Sequence, residues 1–218
     1  MIDVTYIDHM GSDLSVVNAA RVSFGKKSEF EGRVGGPNVL AKRDVKLVEY
    51  LAEHKHTSPF GHAFASFHVK APVFVARQLV KHKFLRWNEI SRRYVDDEPE
   101  FYEPDEWRGR SLDKKQGSSG NLIIMLDQEI QWNRQLTTYK TLLAEGVAPE
   151  QARMVLPQSM MTEWYWSGSL DAFADMCNLR CNPDTQAETR VVANQIDCKM
   201  LELFPVSWDA LTKEEELG

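Results

Sequence analysis

The chain has 218 residues, of which 43% are hydrophobic and 27% are charged, and its formal net charge is −6. This composition is typical of a single globular domain spanning 1–218, and the negative charge argues against a nucleic-acid partner. No hydrophobic run approaches the roughly 20 residues of a membrane span, the N-terminus lacks a signal pattern, and three cysteines are too few for a disulfide framework. We therefore expect a cytoplasmic protein without a membrane partner.

Hydrophobic periodicity and turn residues predict the elements of the first half of the chain. They are helices at 13–22 and 38–54, a mobile loop at 25–37, a strand at 63–69, a helix at 72–85, a loop at 86–91 and the start of a strand at 92–95. In the helix at 72–85, which begins with Pro72, the residues Val73, Ala76, Val80 and Phe84 recur at helical spacing. We expect these four residues to face the core.

The second half is predicted to contain a loop at 104–120 and one long helix near 121–145, which Gly146 terminates. A short helix between Pro149 and Pro157, a strand at 161–166, helices at 169–180 and 184–204, and a frayed acidic tail at about 209–218 follow. Helices and strands are mixed without a βαβ rhythm. The sequence therefore predicts one compact α+β domain, in which helices pack on a mixed or antiparallel sheet.

Residues 77–94 are the most informative segment, because they combine six cations with the histidine His82. Gln78, Lys81 and His82 share one face of the predicted helix. A local cationic segment on an anionic chain indicates a small anionic ligand, and the alternative is a solvated amphipathic helix followed by a basic turn. Ser91 has no base at short spacing that would make it a nucleophile, so we assign it to binding.

This segment resembles the signature of the flavin-dependent thymidylate synthases, which carry Arg-His-Arg and, after seven residues, Ser. Here Lys81-His82-Lys83 precedes Ser91 at that spacing. Further similar segments are His54 to His62, Ala152-Arg153 and Asn178-Leu179-Arg180, and the match runs with ordered spacing from about Met10 to Leu203. The chain departs from the family in the two lysines, in Arg86, in Ser169-Leu170-Asp171 and in Asp175.

The resemblance implies the roles of individual residues. It implies dUMP contacts from Gln78, Lys81, Glu89, Ser91, Arg92, Arg93, Arg153 and Arg180. It implies FAD contacts from His56, Ser58, Lys81, His82, Lys83, Glu89, Ser169 and Asp175. Arg180 is implied to be catalytic, by stabilising negative charge on the uracil ring. From the residues alone, Arg180 is better explained as a surface cation at a helix C-terminus, and His56 equally well as a helix C-terminal cap. No metal is expected.

The implied reaction converts dUMP to dTMP, with methylenetetrahydrofolate as one-carbon donor, FAD as hydride carrier and NADPH as reductant, in a homotetramer with shared sites. A flavin hydride would remove the need for a cysteine nucleophile, and Cys177, Cys181 and Cys198 are expected to be structural. Two alternatives stay open. One is a flavin-binding or nucleotide-binding protein that has lost catalysis, and the other is a single-stranded nucleic-acid binder in which Trp87 and Tyr94 stack on bases.

Overall fold

The computed structural model describes residues 1–32, 38–95, 97–111, 118–124 and 127–213. The strands are β1 (Asp3–Met10), β2 (Phe64–Pro72), β3 (Arg86–Glu89), β4 (Trp107–Arg110), β5 (Ser118–Leu122) and β6 (Met161–Ser169). The helices are α1 (Asp13–Arg21), α2 (Lys42–Glu53), α3 (Val73–Leu79), α4 (Gln128–Ala144), α5 (Pro149–Ala152), α6 (Leu170–Arg180), α7 (Ala187–Leu203) and α8 (Pro205–Thr212). Short 3₁₀ turns lie at Val22–Phe24, Ser58–His62 and Arg153–Val155.

Four antiparallel strands form the main sheet in the order β1-β2-β6-β3, and β4 pairs with β5 in a separate two-stranded sheet. Alternate residues of β2, namely Ala65, Phe67 and Val69, are buried, as the predicted period of two requires. The rings of Phe67 and Phe173 meet edge to face at 5.3 Å, so helix α6 packs on this sheet. The predicted α+β class with an antiparallel sheet is confirmed.

Helices α6, α7 and α8 cover the sheet and enclose a core that includes Ile196, Phe204 and Trp208. The N-terminus of α8 is held by Asp13 at the start of α1, whose carboxylate accepts hydrogen bonds from the backbone N–H groups of Val206 (3.1 Å) and Ser207 (2.8 Å). A carboxylate satisfies the unpaired N–H groups of a helix start and its partial positive charge. Two distant parts of the chain are thereby joined.

The predicted helix at 72–85 is wrong in its length. Pro72 is the last residue of β2, helix α3 ends at Leu79, and Val80 and Phe84 are 46% and 80% exposed instead of facing the core. The chain turns after Leu79 because residues 86–89, predicted as a loop, pair with β6. Residues 92–94 form a turn instead of a strand, in which the Tyr94 N–H donates to the Ser91 carbonyl at 2.9 Å.

Other corrections concern the chain ends and the middle. Strand β1 was not predicted, although apolar and polar residues alternate over residues 2–6; the strand pairs with β2. Part of the loop predicted at 104–120 forms β4 and β5, while residues 112–117 of it lie outside the described residues, as do 33–37 of the loop predicted at 25–37. The long helix starts at Gln128, capped by Asp127, which accepts from Ile130 N–H at 3.1 Å.

Gly146, at φ 83°, terminates α4 as expected. Residues 209–212 belong to α8, so the predicted fraying is wrong there, and 214–218 lie outside the described residues. In the described part of the chain, none of the helices has the length and hydropathy needed to cross a lipid bilayer.

Candidate active site

Arg180 and His82 meet where α6 ends and the turn after α3 begins. The guanidinium Nε donates to His82 Nε2 at 3.1 Å, and Nη2 lies 3.5 Å from the Gln78 carbonyl oxygen. Because a guanidinium can only donate, Nε2 must carry the lone pair and the imidazole proton must sit on Nδ1. The contact therefore defines the tautomer of His82 and the orientation of Arg180 together.

The charge of this pair resides on Arg180. Burial, followed by the positive charge of Arg180, lowers the pKa of His82 from 6.5 to about 4. Burial also lowers the pKa of Arg180, and a guanidinium remains charged at neutral pH. A half-buried cation held by a neutral ring is suited to a ligand group on which negative charge develops.

A cavity of about 190 Å³ adjoins His82 and is lined by Lys81, Lys83 and Asp175, among others. Asp175 also lines a neighbouring cavity of about 810 Å³ that reaches Thr57 and Lys213. The two cavities therefore form an extended depression with cations on one rim.

The donor and acceptor groups of this depression fit FAD. Asp171, one turn before Asp175, is not among the residues that line the two cavities, and its Oδ1 atom is shielded from solvent with no hydrogen-bond partner among the described residues. Partial burial and the charge of Asp171 raise the pKa of Asp175. The Asp175 carboxylate suits hydroxyl and N–H groups, while Lys81 and Lys83 suit a diphosphate as point charges. FAD carries both kinds of group.

A second group of predicted residues follows β3. The Glu89 carboxylate accepts hydrogen bonds from Trp87 Nε1 at 3.0 Å and from Thr162 Oγ1 at 2.7 Å, and Trp87 stacks on Trp164 with ring centroids 4.3 Å apart. Glu89 is therefore held in one orientation by the sheet.

The turn after β3 orders the neighbouring cations. Ser91 Oγ accepts from Arg93 Nε at 3.1 Å, so this hydroxyl and this guanidinium lie side by side. Arg92 instead donates to the backbone oxygen of Asp97 at 2.5 Å and pairs with its carboxylate at 3.3 Å. Arg93 and Ser91 can thus bind an anion together, whereas the charge of Arg92 is already balanced.

Gln78 is part of a network that the sequence analysis missed. Its Oε1 accepts from Thr189 Oγ1 at 3.2 Å, its Nε2 donates to Gln186, and Gln186 Nε2 donates to Glu188 at 3.1 Å. Glu188, only 5% exposed, pairs with Arg108 on β4. No short motif could have indicated these contacts, because Gln78 and Gln186 are 108 residues apart.

The remaining predicted residues lie elsewhere in the single chain. Arg153 is in a 3₁₀ turn, where its Nε donates to the Glu150 carbonyl at 3.2 Å, and exposed His56 follows α2 with its ring 6.2 Å from that of Tyr50. Ser58 begins a 3₁₀ turn and Ser169 ends β6. Within the described ranges, no hydrogen bond or ion pair connects Arg180 with these four residues or with residues 89–93.

Comparison with known proteins places this chain in a family. The family model described as "Thymidylate synthase complementing protein" matches residues 5–206. A flavin-dependent thymidylate synthase from Thermus thermophilus is 39% identical over 218 residues, covering 98% of this chain and 76% of that protein. Another from Kosmotoga olearia is 37% identical over 215 residues, covering 95% and 88%.

A solved structure has the same fold. The UMP/dUMP methylase PolB from Streptomyces cacaoi, bound with 5-Br dUMP, aligns with a TM-score of 0.81 and 30% sequence identity, covering 97% of this chain and 95% of that one. The family model matches most of the chain, and the identities to the two relatives indicate the same family. The chain therefore belongs to the thymidylate synthase complementing protein family.

Proposed function

We propose that this protein is a flavin-dependent thymidylate synthase, a methyltransferase that converts dUMP to dTMP by reductive methylation. Methylenetetrahydrofolate is the one-carbon donor, FAD the hydride carrier and NADPH the reductant. The relatives named above support the reaction class. The observation that carries the proposal is the Arg180 guanidinium, held by a neutral His82 at the rim of a cationic cavity.

Arg180 performs the electrostatic step. Bound FAD, once reduced by NADPH, would supply a hydride for the pyrimidine, in place of addition by a cysteine thiolate. The nitrogen Nε of Arg180 donates to His82 and Nη2 directs one N–H at the Gln78 carbonyl, so Nη1 and the second N–H of Nη2 are the groups that would donate to the uracil imide as it gains negative charge. Because the contact to His82 orients the guanidinium before substrate arrives, this stabilisation requires little reorganisation.

The other residues bind and orient the ligands. Lys81 and Lys83 would neutralise the diphosphate of FAD, and Asp175 would accept hydrogen bonds from its hydroxyl and N–H groups. Ser91 and Arg93, already in contact at 3.1 Å, bind the phosphate of dUMP, with Arg153 contributed by another part of the assembly. Glu89 fixes the end of β3 and Gln78 the backbone next to Arg180.

The protein is proposed to act as a homotetramer in which several chains form each site. This is supported by the contacts within one chain, where no hydrogen bond or ion pair among the described residues joins Arg180 to Arg153 or to residues 89–93. It is also supported by exposed large hydrophobic side chains next to the predicted ligand residues, namely Phe84, Tyr94 and Met154. Such side chains on a surface are typical of subunit contacts.

The test combines spectroscopy with turnover. Purified protein incubated with excess FAD and freed of unbound flavin should be yellow, and with NADPH, methylenetetrahydrofolate and dUMP it should form dTMP. Flavin binding without dTMP formation would favour a protein that has lost catalysis. Protein that retains no flavin after incubation with excess FAD would contradict the proposal. The nucleic-acid alternative is less favoured, because Trp164 already covers one face of the Trp87 ring.

A further inference from the structure

Three side chains with metal-binding atoms converge beside the C-terminal end of α6. Cys177 and Cys181 lie one turn apart on this end, and Asp197 faces them from α7. The two sulfur atoms and a carboxylate oxygen all lie within 4.8 Å of one another. Cys177 is 2% exposed, and its Sγ lies 3.7 Å from the Ala193 carbonyl oxygen. None of these groups has a role in the proposed reaction.

We propose that Cys177, Cys181 and Asp197 bind a zinc ion, with water as the fourth ligand. Two thiolates and one carboxylate are a ligand set that zinc accepts, and a tetrahedral zinc–sulfur site needs sulfur atoms roughly 3.8 Å apart. The two thiols are already within hydrogen-bond reach of each other. Small side-chain rotations therefore complete the geometry.

The surroundings of the cluster support a built site. Trp208 Nε1 donates to Asp197 Oδ1 at 2.8 Å. A hydrogen bond from a neighbouring residue to a ligating carboxylate fixes the orientation of that carboxylate. Cys181 and Asp197 are partly exposed, which provides an entry path and room for the water, while Cys177 closes the site from inside. Exposed Cys198 is not among the three converging donors.

The position of the cluster connects it with Arg180. Cys181 directly follows Arg180, and its backbone N–H donates to the Cys177 carbonyl at 2.8 Å. A bound ion would therefore hold the last turn of α6, on which Arg180 is mounted. Zinc binding is inferred from the geometry of the three donor atoms, so its test does not depend on the proposed reaction.

The experiment uses Co²⁺ alone as a spectroscopic probe for the fully reduced, metal-free protein. The wild type should bind one Co²⁺ per chain with a thiolate-to-cobalt charge-transfer band, and Zn²⁺ should remove the band by displacement. Cys181→Ser and Asp197→Asn should weaken binding at least about tenfold. Asparagine keeps an oxygen that accepts from Trp208, so Asp197→Asn is the variant least disturbing to the fold.

Cys198→Ser is the matched control, since it removes a thiol without removing a converging donor. It should bind Co²⁺ as the wild type does. Circular dichroism of each variant separates loss of a ligand from loss of the fold. Absence of the charge-transfer band in the reduced wild type would overturn the proposal, and so would a band that Cys198→Ser abolishes while folded Cys181→Ser retains it.

Discussion

Arg180 is the residue on which the proposed chemistry depends most. We predict that Arg180→Ala lowers the rate of dTMP formation by about 100-fold or more, because a lost preorganised charge contact typically raises the barrier by about 3 kcal/mol or more. FAD binding should persist, since the cavity is lined by other residues such as Lys81 and Lys83. The exposed Arg43→Ala on α2 is the control, with unchanged turnover. Turnover of Arg180→Ala near that of the wild type would refute the assignment.

His82 should give stability a specific pH dependence. Its pKa falls from 6.5 to about 4 on folding, so between these values the unfolded chain binds the proton and the folded chain does not. Stability therefore rises with pH across this window and is lost as pH falls from about 6.5 towards 4. Urea unfolding of wild type and His82→Gln at several pH values isolates the effect. The wild type should lose more stability than the variant on acidification, and equal losses would contradict the prediction.

The sequence assigned His82 and Arg180 to one site, and the structure brings these two side chains together, but their contacts could not be predicted. His82 and Arg180 were identified through two motifs, and they do touch. The side chain of Gln78 was expected to bind substrate, yet it is engaged by Thr189 and Gln186. That engagement, like the unpaired oxygen of Asp171, depends on packing between segments far apart in the chain, and no local pattern encodes it.

At the level of elements, the errors concentrate where non-local pairing overrides local pattern. Residues 86–89 are rich in polar side chains and were predicted as a loop. They form β3 because the backbone groups of β6 pair with theirs and because Trp87 stacks on Trp164. The same pairing shortens α3. Strand β2, with its regular alternation, was predicted correctly.

The ion pair between Arg108 on β4 and Glu188 on α7 provides a test at the level of elements. Arg108→Met leaves the buried Glu188 carboxylate without its cation, so we expect a loss of about 3 kcal/mol in the free energy of unfolding. Urea denaturation measures it. Lys140→Met breaks the exposed Lys140–Glu98 pair and should change stability by less than about 0.5 kcal/mol.

A double variant separates the loss of the pair from the loss of packing. Arg108→Met combined with Glu188→Met removes both charges, and part of the stability should return. If Arg108→Met alone is as mild as Lys140→Met, then the buried pair does not stabilise the junction of the small sheet with α7.

At the level of the whole molecule, shared sites can be tested by mixing inactive variants. Arg180→Ala and Arg93→Ala should each be inactive as homo-oligomers. If one site takes these two residues from different chains, mixed oligomers contain sites with both arginines intact and should recover part of the turnover. Native mass spectrometry verifies the tetramer and the exchange of subunits.

The control for this experiment mixes two variants with the same lesion, Arg180→Ala and Arg180→Met, and should show no recovery. Mixed oligomers of Arg180→Ala and Arg93→Ala that remain inactive would show that one chain supplies both residues. The alternative arrangement would then be a complete site within each chain.

The hydrogen bonds between Asp13 and the start of α8 have a consequence for folding during synthesis. Asp13 leaves the ribosome early, but its partner Ser207 is 194 residues later. At ordinary rates of translation this is a delay of roughly 10 to 40 s. Trp208, almost fully buried, arrives equally late. The nascent chain must therefore keep an open core until residues 207 and 208 have left the ribosome, and during that interval chaperones can bind its exposed hydrophobic side chains.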